Sequence, residues 1–373
     1  MRENYPIEGQ PRKKKKSGLL GRIIRRFFLL IFTIVLLAVG GAYLLLDLIF
    51  TGPSPAAARV LTMSLTEASA TKWVPGLFLG DEAVEKIRQN VDAELPDEFT
   101  DTSQVVIQSG SIGAASDEWA NYPDGVYFVE IQGQTLNAHL MVVRDPSKVY
   151  MATSTPGSFS RNIPGIRITE AIENEKGIAA VNAGAFFDNG TSGPEVGATP
   201  EGLVIADGKV RWNSGKAPEE GFAGFNKDNI LVVAKTMTAE KAMELNIRDG
   251  CCFGPVLIMN GEESMEAYNS ASGYNPRTAV GQRADGAVLF LCIDGRQAGS
   301  LGGTYADIIN IMLEYGAVNA CNMDGGSSSV MLYRDTYGLY GEPGEVQMMN
   351  SYSVIQSQPR RMPNFWMIAG SEE

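Results

Sequence analysis

The segment Leu291–Gly326, LCIDGRQAGSLGGTYADIINIMLEYGAVNACNMDGG, decides the predicted fold. Its first apolar run ends at Asp294, and its last apolar run ends at Asp324, which two glycines follow. Between them lies a stretch whose apolar residues share one face of a helix: Ile308, Ile309, Met312 and Leu313. The segment therefore predicts a strand–helix–strand passage with a right-handed crossover. We expect the two strands to lie side by side, with their carboxyl ends at one edge of a sheet.

The residues around this segment favour a sheet-rich domain. From about Tyr122 onward, short β-rich runs recur, separated by the Gly, Asn and Asp residues that turns require. The clearest runs are GVYFVEIQG, LNAHLMVV, GIAAVNAGAFF, GLVIADGKV, NILVVAK, GPVLIMNG and TAVGQRADGAVLFLCIDG. The expected fold class is α+β, with a large mixed β-sheet and few helices in the main domain. One transmembrane helix and a helical stalk are expected to precede it.

The N-terminal part predicts a membrane anchor. Residues 27–46, FFLLIFTIVLLAVGGAYLLL, are 20 residues without a charge, enough for a helix to cross a hydrocarbon core. Residues 1–26 contain nine Lys or Arg and two acids, a net charge of +7. Because positive residues stay on the cytoplasmic side, we expect a single-pass protein of the cell membrane with its N-terminus inside and its main domain outside. A cleaved signal peptide would have a shorter apolar core, although Ala56–Ala58 resembles a cleavage site.

The distribution of charge excludes one class of partner. The chain of 373 residues carries −12, so the part after residue 26 carries −19. This acidic body argues against nucleic-acid binding, which needs a basic surface. We predict four parts: a basic cytoplasmic arm (1–26), a transmembrane helix (27–50), a membrane-proximal helical stalk (51–120) and a main domain (121–373). In the stalk, Asp81 is the expected N-cap of a helix, and the stalk would pack on the main domain or on another copy. The oligomeric state stays open.

Cysteine and histidine usage excludes several kinds of site. The four cysteines, Cys251, Cys252, Cys292 and Cys321, have no C-x-x-C spacing, so a zinc site of that type is not expected. Cys292 and Cys321 are either buried core thiols or a disulfide pair. The one histidine, His139, cannot build a three-histidine zinc centre and is interpreted as an ordinary strand residue. The sequence also lacks the glycine loops of nucleotide-binding proteins and the nucleophile elbow of serine hydrolases. We expect no obligatory metal and no cofactor, although clustered acids could recruit Ca²⁺.

Four segments place functional side chains next to turn glycines. They are VNAGAFFD with Asn182 and Asp188, NPRTAVG with Arg277, LCIDGRQAGSLGGT with Asp294, Arg296 and Thr304, and NMDGGSSS with Asn322, Asp324, Gly325, Gly326, Ser327 and Ser328. Each alone is compatible with turn chemistry, because Asp-Gly is common in hairpins and Asn often caps backbone groups. Together they put acids, arginines and amides at strand ends, where glycine lets a ligand approach the backbone. Such a site suits an anionic, hydroxyl-rich ligand, since guanidinium groups bind phosphate and carboxylates hold sugar hydroxyls or act as acids, bases or nucleophiles.

The ordered set VNAGAFFD, EGLVIADGKV, NPRTAVG, LFLCIDGR, GGTYADIINIML and NMDGGSSSVML resembles the phosphodiester glycosidase family over about residues 125–370. The family pattern D-G-G-[GS]-S-[ST] is similar to Asp324–Ser329, whereas NAGAFF is one small residue longer than the family form. The resemblance implies hydrolysis of the glycosidic bond of a sugar-1-phosphodiester, with a phosphate as the leaving group, in cell-surface glycan or wall-polymer metabolism. Bacterial members are often described as exopolysaccharide biosynthesis proteins.

The resemblance also implies roles for the residues named above. Arg277 and Arg296 would bind the phosphate, Asp324 would attack the anomeric carbon or activate water, and Asp294 would be the second acid or hold a sugar hydroxyl. The remaining members of the set would bind the glycan or sugar-phosphate substrate: Asn182, Asp188, Thr304, Asn322, Gly325, Gly326, Ser327 and Ser328. Two alternatives remain. One is a non-catalytic module that binds phosphorylated wall or exopolysaccharide glycans, and the other is a structural role in an envelope complex.

Overall fold

The computed structural model is an α+β structure, which confirms the predicted fold class. It describes residues 19–52, 55–66, 71–89, 99–107, 119–157, 159–187, 196–215, 221–270, 272–297, 299–352 and 358–370. The chain divides into two units, Met1–Ala58 and Arg59–Glu373. The described part of the first unit is helical, and the sheets all lie in the second unit.

The N-terminal helix α1 (Leu19–Thr51) is long and apolar enough to cross a membrane. Its stretch Ile23–Thr51 has a mean hydropathy of 2.6, and almost all of its large apolar side chains are exposed in the protein itself. A membrane span has this length and composition, and so does a signal sequence near an N-terminus. The orientation with the N-terminus in the cytoplasm stays a prediction.

Seven further helices are described, and three of them lie in the predicted stalk. They are α2 (Pro55–Thr66), α3 (Val74–Leu79), α4 (Asp81–Gln89), α5 (Ile168–Glu175), α6 (Ala239–Glu244), α7 (Met265–Asn269) and α8 (Tyr305–Glu314). Asp81 was predicted to be the N-cap of a helix. It is instead the first residue of α4, one position after the N-cap. Residues 99–107, also assigned to the stalk, pack on the sheets, because the Val106 N–H donates to the Ala284 carbonyl at 2.9 Å. The boundary at residue 120 stays a prediction.

The strands supply most of the second unit. In chain order they are β1 (Val126–Gln132), β2 (Asn137–Val143), β3 (Val149–Thr153), β4 (Ile166–Arg167), β5 (Ala179–Asn182), β6 (Phe186–Phe187), β7 (Thr199–Pro200), β8 (Leu203–Ala206), β9 (Lys209–Asn213), β10 (Phe222–Asn226), β11 (Leu231–Ala234), β12 (Ile247–Cys252), β13 (Val256–Met259), β14 (Glu262–Glu263), β15 (Arg277–Arg283), β16 (Val288–Ile293), β17 (Ala317–Met323), β18 (Met331–Arg334), β19 (Val346–Met348), β20 (Arg361–Met362) and β21 (Asn364–Ile368).

These strands form three larger sheets and two small ones. The first sheet has seven strands in the order β1-β2-β16-β15-β17-β13-β14, the second has the order β11-β10-β12-β8-β9, and the third has the order β19-β18-β5-β21-β3. The pairs β20-β4 and β6-β7 stand apart from them. All neighbouring strands pair antiparallel.

The strands β16 and β17 do not lie side by side, so that part of the prediction is wrong. The strand β15 lies between them and pairs antiparallel with both. A tight turn at Gly286 joins β15 to β16 as a hairpin, and β2 occupies the other side of β16. The open side of β15 is therefore the position left for β17. The strand–helix–strand passage is present, with β16 and β17 parallel to each other and one strand apart.

Helix α8 covers one face of this sheet, with one change from the predicted face. Ile308, Ile309 and Met312 are fully buried, as expected, but Leu313 is 37% exposed and Ile311 is buried instead. Ile311 belongs to the same apolar cluster as Ala267 of α7. The neighbouring helix α7 thus covers a side of α8 that its sequence pattern alone does not identify.

The main core lies where the three larger sheets meet. Phe290 of the first sheet, Phe225 of the second and Trp366 of the third are all fully buried. The Trp366 ring centroid is 5.6 Å from that of Phe225 and 6.4 Å from that of Phe290. Large aromatic side chains dominate the free energy of core packing, so this contact holds the three sheets together.

All four cysteines are free and buried, so Cys292 and Cys321 are core thiols and not a disulfide pair. Burial is the largest cause that raises the pKa of each thiol, and it raises that of Cys252 to about 12. A high thiol pKa keeps these groups protonated and unreactive near neutral pH.

We predict that the free energy of unfolding falls as the pH rises above about 9. An unfolded thiol ionises near pH 8.5, whereas the folded thiols keep their protons to a much higher pH, as the raised pKa of Cys252 indicates. The stability that is fully present below the unfolded pKa is therefore lost with increasing pH, by about 2 kcal/mol for each such thiol at pH 10. Urea denaturation at pH 8 and pH 10 measures the change, and equal stability at the two pH values would contradict it.

Candidate functional site

The predicted site residues come together at one edge of the first sheet. Because β15 runs antiparallel to its neighbours, Arg277 at its start lies opposite Ile293 at the end of β16. Thr278 is likewise opposite Met323 at the end of β17. Asp294 and Asp324, which follow these two strand ends, therefore lie at the same edge as the start of β15.

Asp294 is buried, and both of its carboxylate oxygens have partners. It is 2% exposed. Its Oδ1 accepts a hydrogen bond from the Ser351 N–H at 2.9 Å, and its Oδ2 lies 3.2 Å from Nε2 of His139. Its carbonyl accepts a hydrogen bond from the Ser300 hydroxyl at 2.6 Å. Burial, and then the negative charge of Asp294, raise the pKa of the Cys292 thiol beneath the site.

His139 is a strand residue with a polar partner, as interpreted, but the sequence did not identify that partner as Asp294. His139 lies in β2, opposite Cys292, and its side chain is 15% exposed. In the alternating run LNAHLMVV it shares a face with Met141 and Val143, which belong to the main core. That alternation was a signal that the imidazole faces the interior, but the long-range contact with Asp294 was not visible in the sequence.

Asp324 is held through its backbone by two neighbours. Its N–H donates to the Ala183 carbonyl at 3.0 Å, and its carbonyl accepts from Nδ2 of Asn182 at 2.6 Å. Oδ1 of Asn182 accepts hydrogen bonds from the Thr278 hydroxyl at 2.9 Å and from the Val330 N–H at 3.1 Å. Asn182 is fully buried, whereas Asp324 is partly exposed. Asn182 thus joins the third sheet to the first and fixes the position of Asp324.

The turn after Asp324, residues 325–329, is named here the serine turn. A Cβ on Gly325 would lie 2.8 Å from the Pro276 carbonyl oxygen, and Gly326 has a φ of +61°, so both positions favour glycine. The Gly326 N–H donates to the same Pro276 carbonyl at 2.9 Å. The Ser327 carbonyl accepts a hydrogen bond from the Tyr352 hydroxyl at 2.7 Å.

The two predicted phosphate-binding arginines differ in their surroundings. Arg296 is exposed, has a φ of +58° and donates to the Asn275 side-chain oxygen at 2.8 Å. Arg277 is 4% exposed and donates to the carbonyls of Gly303 and Gly273 at 3.2 and 2.9 Å. Its guanidinium carbon lies 4.5 Å from the Tyr305 ring centroid. A role of Arg277 in phosphate binding stays a prediction.

The remaining predicted residues have defined structural partners or lie outside the described residues. The Thr304 side chain caps α8, since its hydroxyl accepts from the Asp307 N–H and donates to the Asp307 carboxylate. Nδ2 of Asn322 donates to the Gly254 carbonyl at 2.7 Å, and its buried Oδ1 has no partner within the described ranges. Asp188 falls outside the described residues.

Three site neighbours besides His139 were missed in the sequence, namely Ser351, Tyr352 and Arg360. Nη1 of Arg360 lies 3.3 Å from the Ser327 hydroxyl oxygen. None of the three is next to an Asp-Gly turn, so no local motif marked them. Among the residues that the structure describes, no group of three or more His, Cys, Asp or Glu side chains is arranged to hold a metal ion.

Comparisons with known proteins identify a family for the sheet-rich part of the chain. The family model for phosphodiester glycosidase matches residues 175–369. A curated "SPbeta prophage-derived uncharacterized protein YomE" from Bacillus subtilis (strain 168) is 26% identical over 192 residues, which are 50% of this chain and 27% of that protein. The chain thus spans about a quarter of the length of this curated relative.

Solved structures that are similar to the chain include the following two. The catalytic domain of zebrafish N-acetylglucosamine-1-phosphodiester alpha-N-acetylglucosaminidase, auto-inhibited by its pro-peptide, matches with a TM-score of 0.50 and 21% identity over 67% of this chain and 85% of that chain. This likeness supports the fold. A hypothetical protein from Synechocystis matches with a TM-score of 0.43 and 15% identity over 66% of this chain and 62% of that chain.

We predict that Asn182→Ala lowers the free energy of unfolding by about 3 kcal/mol or more, because it leaves three buried polar groups without this partner. The matched control is Asn213→Ala, at an exposed residue whose Oδ1 accepts a hydrogen bond from the nearby Gly215 N–H at 2.9 Å. We expect that control to cost less than about 1 kcal/mol. Urea denaturation of both variants checks this, and equal losses would mean that the Asn182 hydrogen bonds are not what holds this region.

Proposed function

The chain belongs to the phosphodiester glycosidase family, and on that basis we propose that it hydrolyses the glycosidic bond of a sugar-1-phosphodiester, with a phosphate as the leaving group. The observation that supports this most is the position of two carboxylates, Asp294 and Asp324, at one edge of the first sheet. Glycosidases commonly use a pair of carboxylates. The proposed substrate class is a sugar-1-phosphodiester in a cell-surface glycan or wall polymer.

We assign the attacking or water-activating role to Asp324. Its backbone N–H and carbonyl are both held, by Ala183 and Asn182, while the residue is partly exposed. A carboxylate on a fixed backbone keeps its orientation toward the substrate, and orientation supplies much of the rate of such a reaction. Gly325 and Gly326 carry no side chains that could stand between Asp324 and a sugar ring.

We assign a supporting role to Asp294. Because the Ser351 N–H and His139 already contact its two carboxylate oxygens, its orientation is fixed by the protein. A negative charge held near the anomeric carbon stabilises the oxocarbenium-like transition state of glycoside hydrolysis. His139 acts through Asp294 and is a positioning residue in this proposal.

We assign to Arg296 the role of stabilising the departing phosphate. The departing phosphate is a weak base, so it needs stabilisation of its charge more than protonation. A guanidinium group supplies such stabilisation through charge-assisted hydrogen bonds. Asn275 fixes the guanidinium of Arg296 from one side through its side-chain oxygen, 2.8 Å away.

We also propose that α1 anchors the protein in the cell membrane, with residues 1–26 in the cytoplasm and the predicted main domain, residues 121–373, outside. The length and hydropathy of Ile23–Thr51 support the span. The net charge of +7 over residues 1–26 supports the orientation.

We predict that Asp324→Asn lowers kcat/KM by roughly a thousandfold or more on a sugar-1-phosphodiester, because it removes the charge of the reacting carboxylate. The full chain in detergent is incubated with a panel of these substrates and of wall polymers, and released reducing sugar is measured. The matched control is Asp285→Asn, since Asp285 is an exposed acid in the turn between β15 and β16. We expect the control to keep its activity within about twofold.

Each result of this assay distinguishes one interpretation. Full activity in a folded Asp324→Asn variant would remove Asp324 from the mechanism. Binding of substrates without turnover by the unmodified chain would instead favour a non-catalytic glycan-binding module. The anomer that forms first, read by proton NMR, separates direct attack with retention from water activation with inversion.

We predict that the full chain stays in membranes after alkaline carbonate extraction, with its N-terminal residues intact. Leu36→Arg together with Leu37→Arg should release it, because two charges near the centre of the span cost roughly 5 to 7 kcal/mol. Leu36→Ala together with Leu37→Ala is the matched control and should stay in the membrane fraction. A soluble product that lacks the residues of α1 would show a cleaved signal sequence instead of an anchor.

A further inference from the structure

A second arginine, Arg360, lies against the serine turn. Its Nη1 is 3.3 Å from the Ser327 hydroxyl oxygen, and its guanidinium carbon lies 4.9 Å from the ring centroid of Phe186. The aromatic contact and the hydroxyl contact come from two different segments of the chain. They hold the guanidinium beside the turn instead of leaving it extended into solvent.

The guanidinium of Arg296 reaches the same turn. Its two terminal nitrogens lie 3.8 Å from the position that a Cβ on Gly326 would take. The two arginines therefore lie beside consecutive residues of one turn, Gly326 and Ser327, where both could donate charge-assisted hydrogen bonds to one anion.

The serine turn also offers hydroxyl groups. Ser328 and Ser329 are 1% and 3% exposed, and neither hydroxyl oxygen has a hydrogen-bond partner within the described parts of the chain. Buried polar groups without partners are rare in folded proteins and call for an explanation. A tetrahedral oxyanion accepts hydrogen bonds from guanidinium and hydroxyl groups alike, so it matches this set of donors.

From these contacts we infer that Arg360 and Arg296, together with the hydroxyls of the serine turn, form the binding site for the phosphodiester group of the substrate. Arg360 is then a specificity-determining residue, since it selects a phosphate on the anomeric oxygen over a neutral aglycone. This inference rests on the proposed function for its biological substrate. Phosphate binding at the serine turn is inferred from its guanidinium and hydroxyl donors. It can therefore be measured without any catalytic reaction.

The first measurement is the binding of inorganic phosphate to the full chain in detergent, by isothermal titration at constant ionic strength. We expect Arg360→Gln and Arg360→Ala to weaken phosphate binding by about tenfold or more, because each removes a charge-assisted hydrogen bond. The matched control is Arg361→Ala. Arg361 lies next in the chain, but its Nη1 donates to the Gly165 carbonyl at 3.0 Å and it lies 3.9 Å from Glu170, away from the turn. We expect the control to bind phosphate within about twofold of the unmodified chain.

The second measurement compares two substrates of the same sugar, one with a phosphodiester and one with a neutral nitrophenyl leaving group. Arg360→Gln should lower kcat/KM for the phosphodiester by about tenfold or more and change the value for the neutral substrate much less. Urea denaturation of each variant confirms that it is folded, and the glutamine variant keeps the flat shape that packs on Phe186.

Several outcomes would overturn the inference. They are no phosphate binding by the unmodified chain, unchanged binding in Arg360→Gln and Arg360→Ala, or an equal loss in Arg361→Ala. Phosphate binding through Arg360 without turnover of any glycosyl phosphodiester would leave this site standing and refute the proposed function. Turnover of a glycosyl phosphodiester at an unchanged rate in the Arg360 variants would support the proposed function and refute the assignment of Arg360 to phosphate binding.

Discussion

The structure depends on the insertion of β15 between β16 and β17. Backbone pairing decides this arrangement. The strand β16 pairs with β15 through the hairpin at Gly286 and with β2 on its other side, so β17 can pair only with the free side of β15. Because β15 runs opposite to both partners, its start meets their ends. The antiparallel register therefore brings Arg277, Asp294 and Asp324 to one edge, although β16 and β17 never touch as a pair.

Polar side chains from other parts of the fold then give this edge its shape. Asn182 connects the third sheet to Thr278 and to the Asp324 carbonyl. Ser351 and Tyr352 connect the segment after β19 to Asp294 and to the serine turn. These are hydrogen bonds between buried or half-buried groups, where a lost partner is costly. The Asp294 carboxylate and the backbone of Asp324 are consequently held in position before any substrate is present.

The sequence was informative where chemistry is local. Glycine positions, strand ends and the helical period around Ile308 and Met312 identified the α+β class and most of the residues at the site edge. Information was lacking where contacts are long-range. No pattern in PRRMPNF or in NAHLM shows that Arg360 meets Ser327 or that His139 meets Asp294, because those pairs are 33 and 155 residues apart. The predicted pairing of β16 with β17 was wrong for the same reason. The strand β15, which forms a hairpin with β16, also makes a long-range pairing with β17 that no local pattern shows.

The place of β21 has a consequence for the order of folding. This strand lies inside the third sheet, between β5 and β3, and its Phe365 is opposite Asn182 of β5. A pairing between residues so far apart in sequence forms slowly, because the entropy of closing a long loop opposes it. During synthesis, β5, which carries Asn182, therefore keeps one side unpaired until residues 364–368 have emerged.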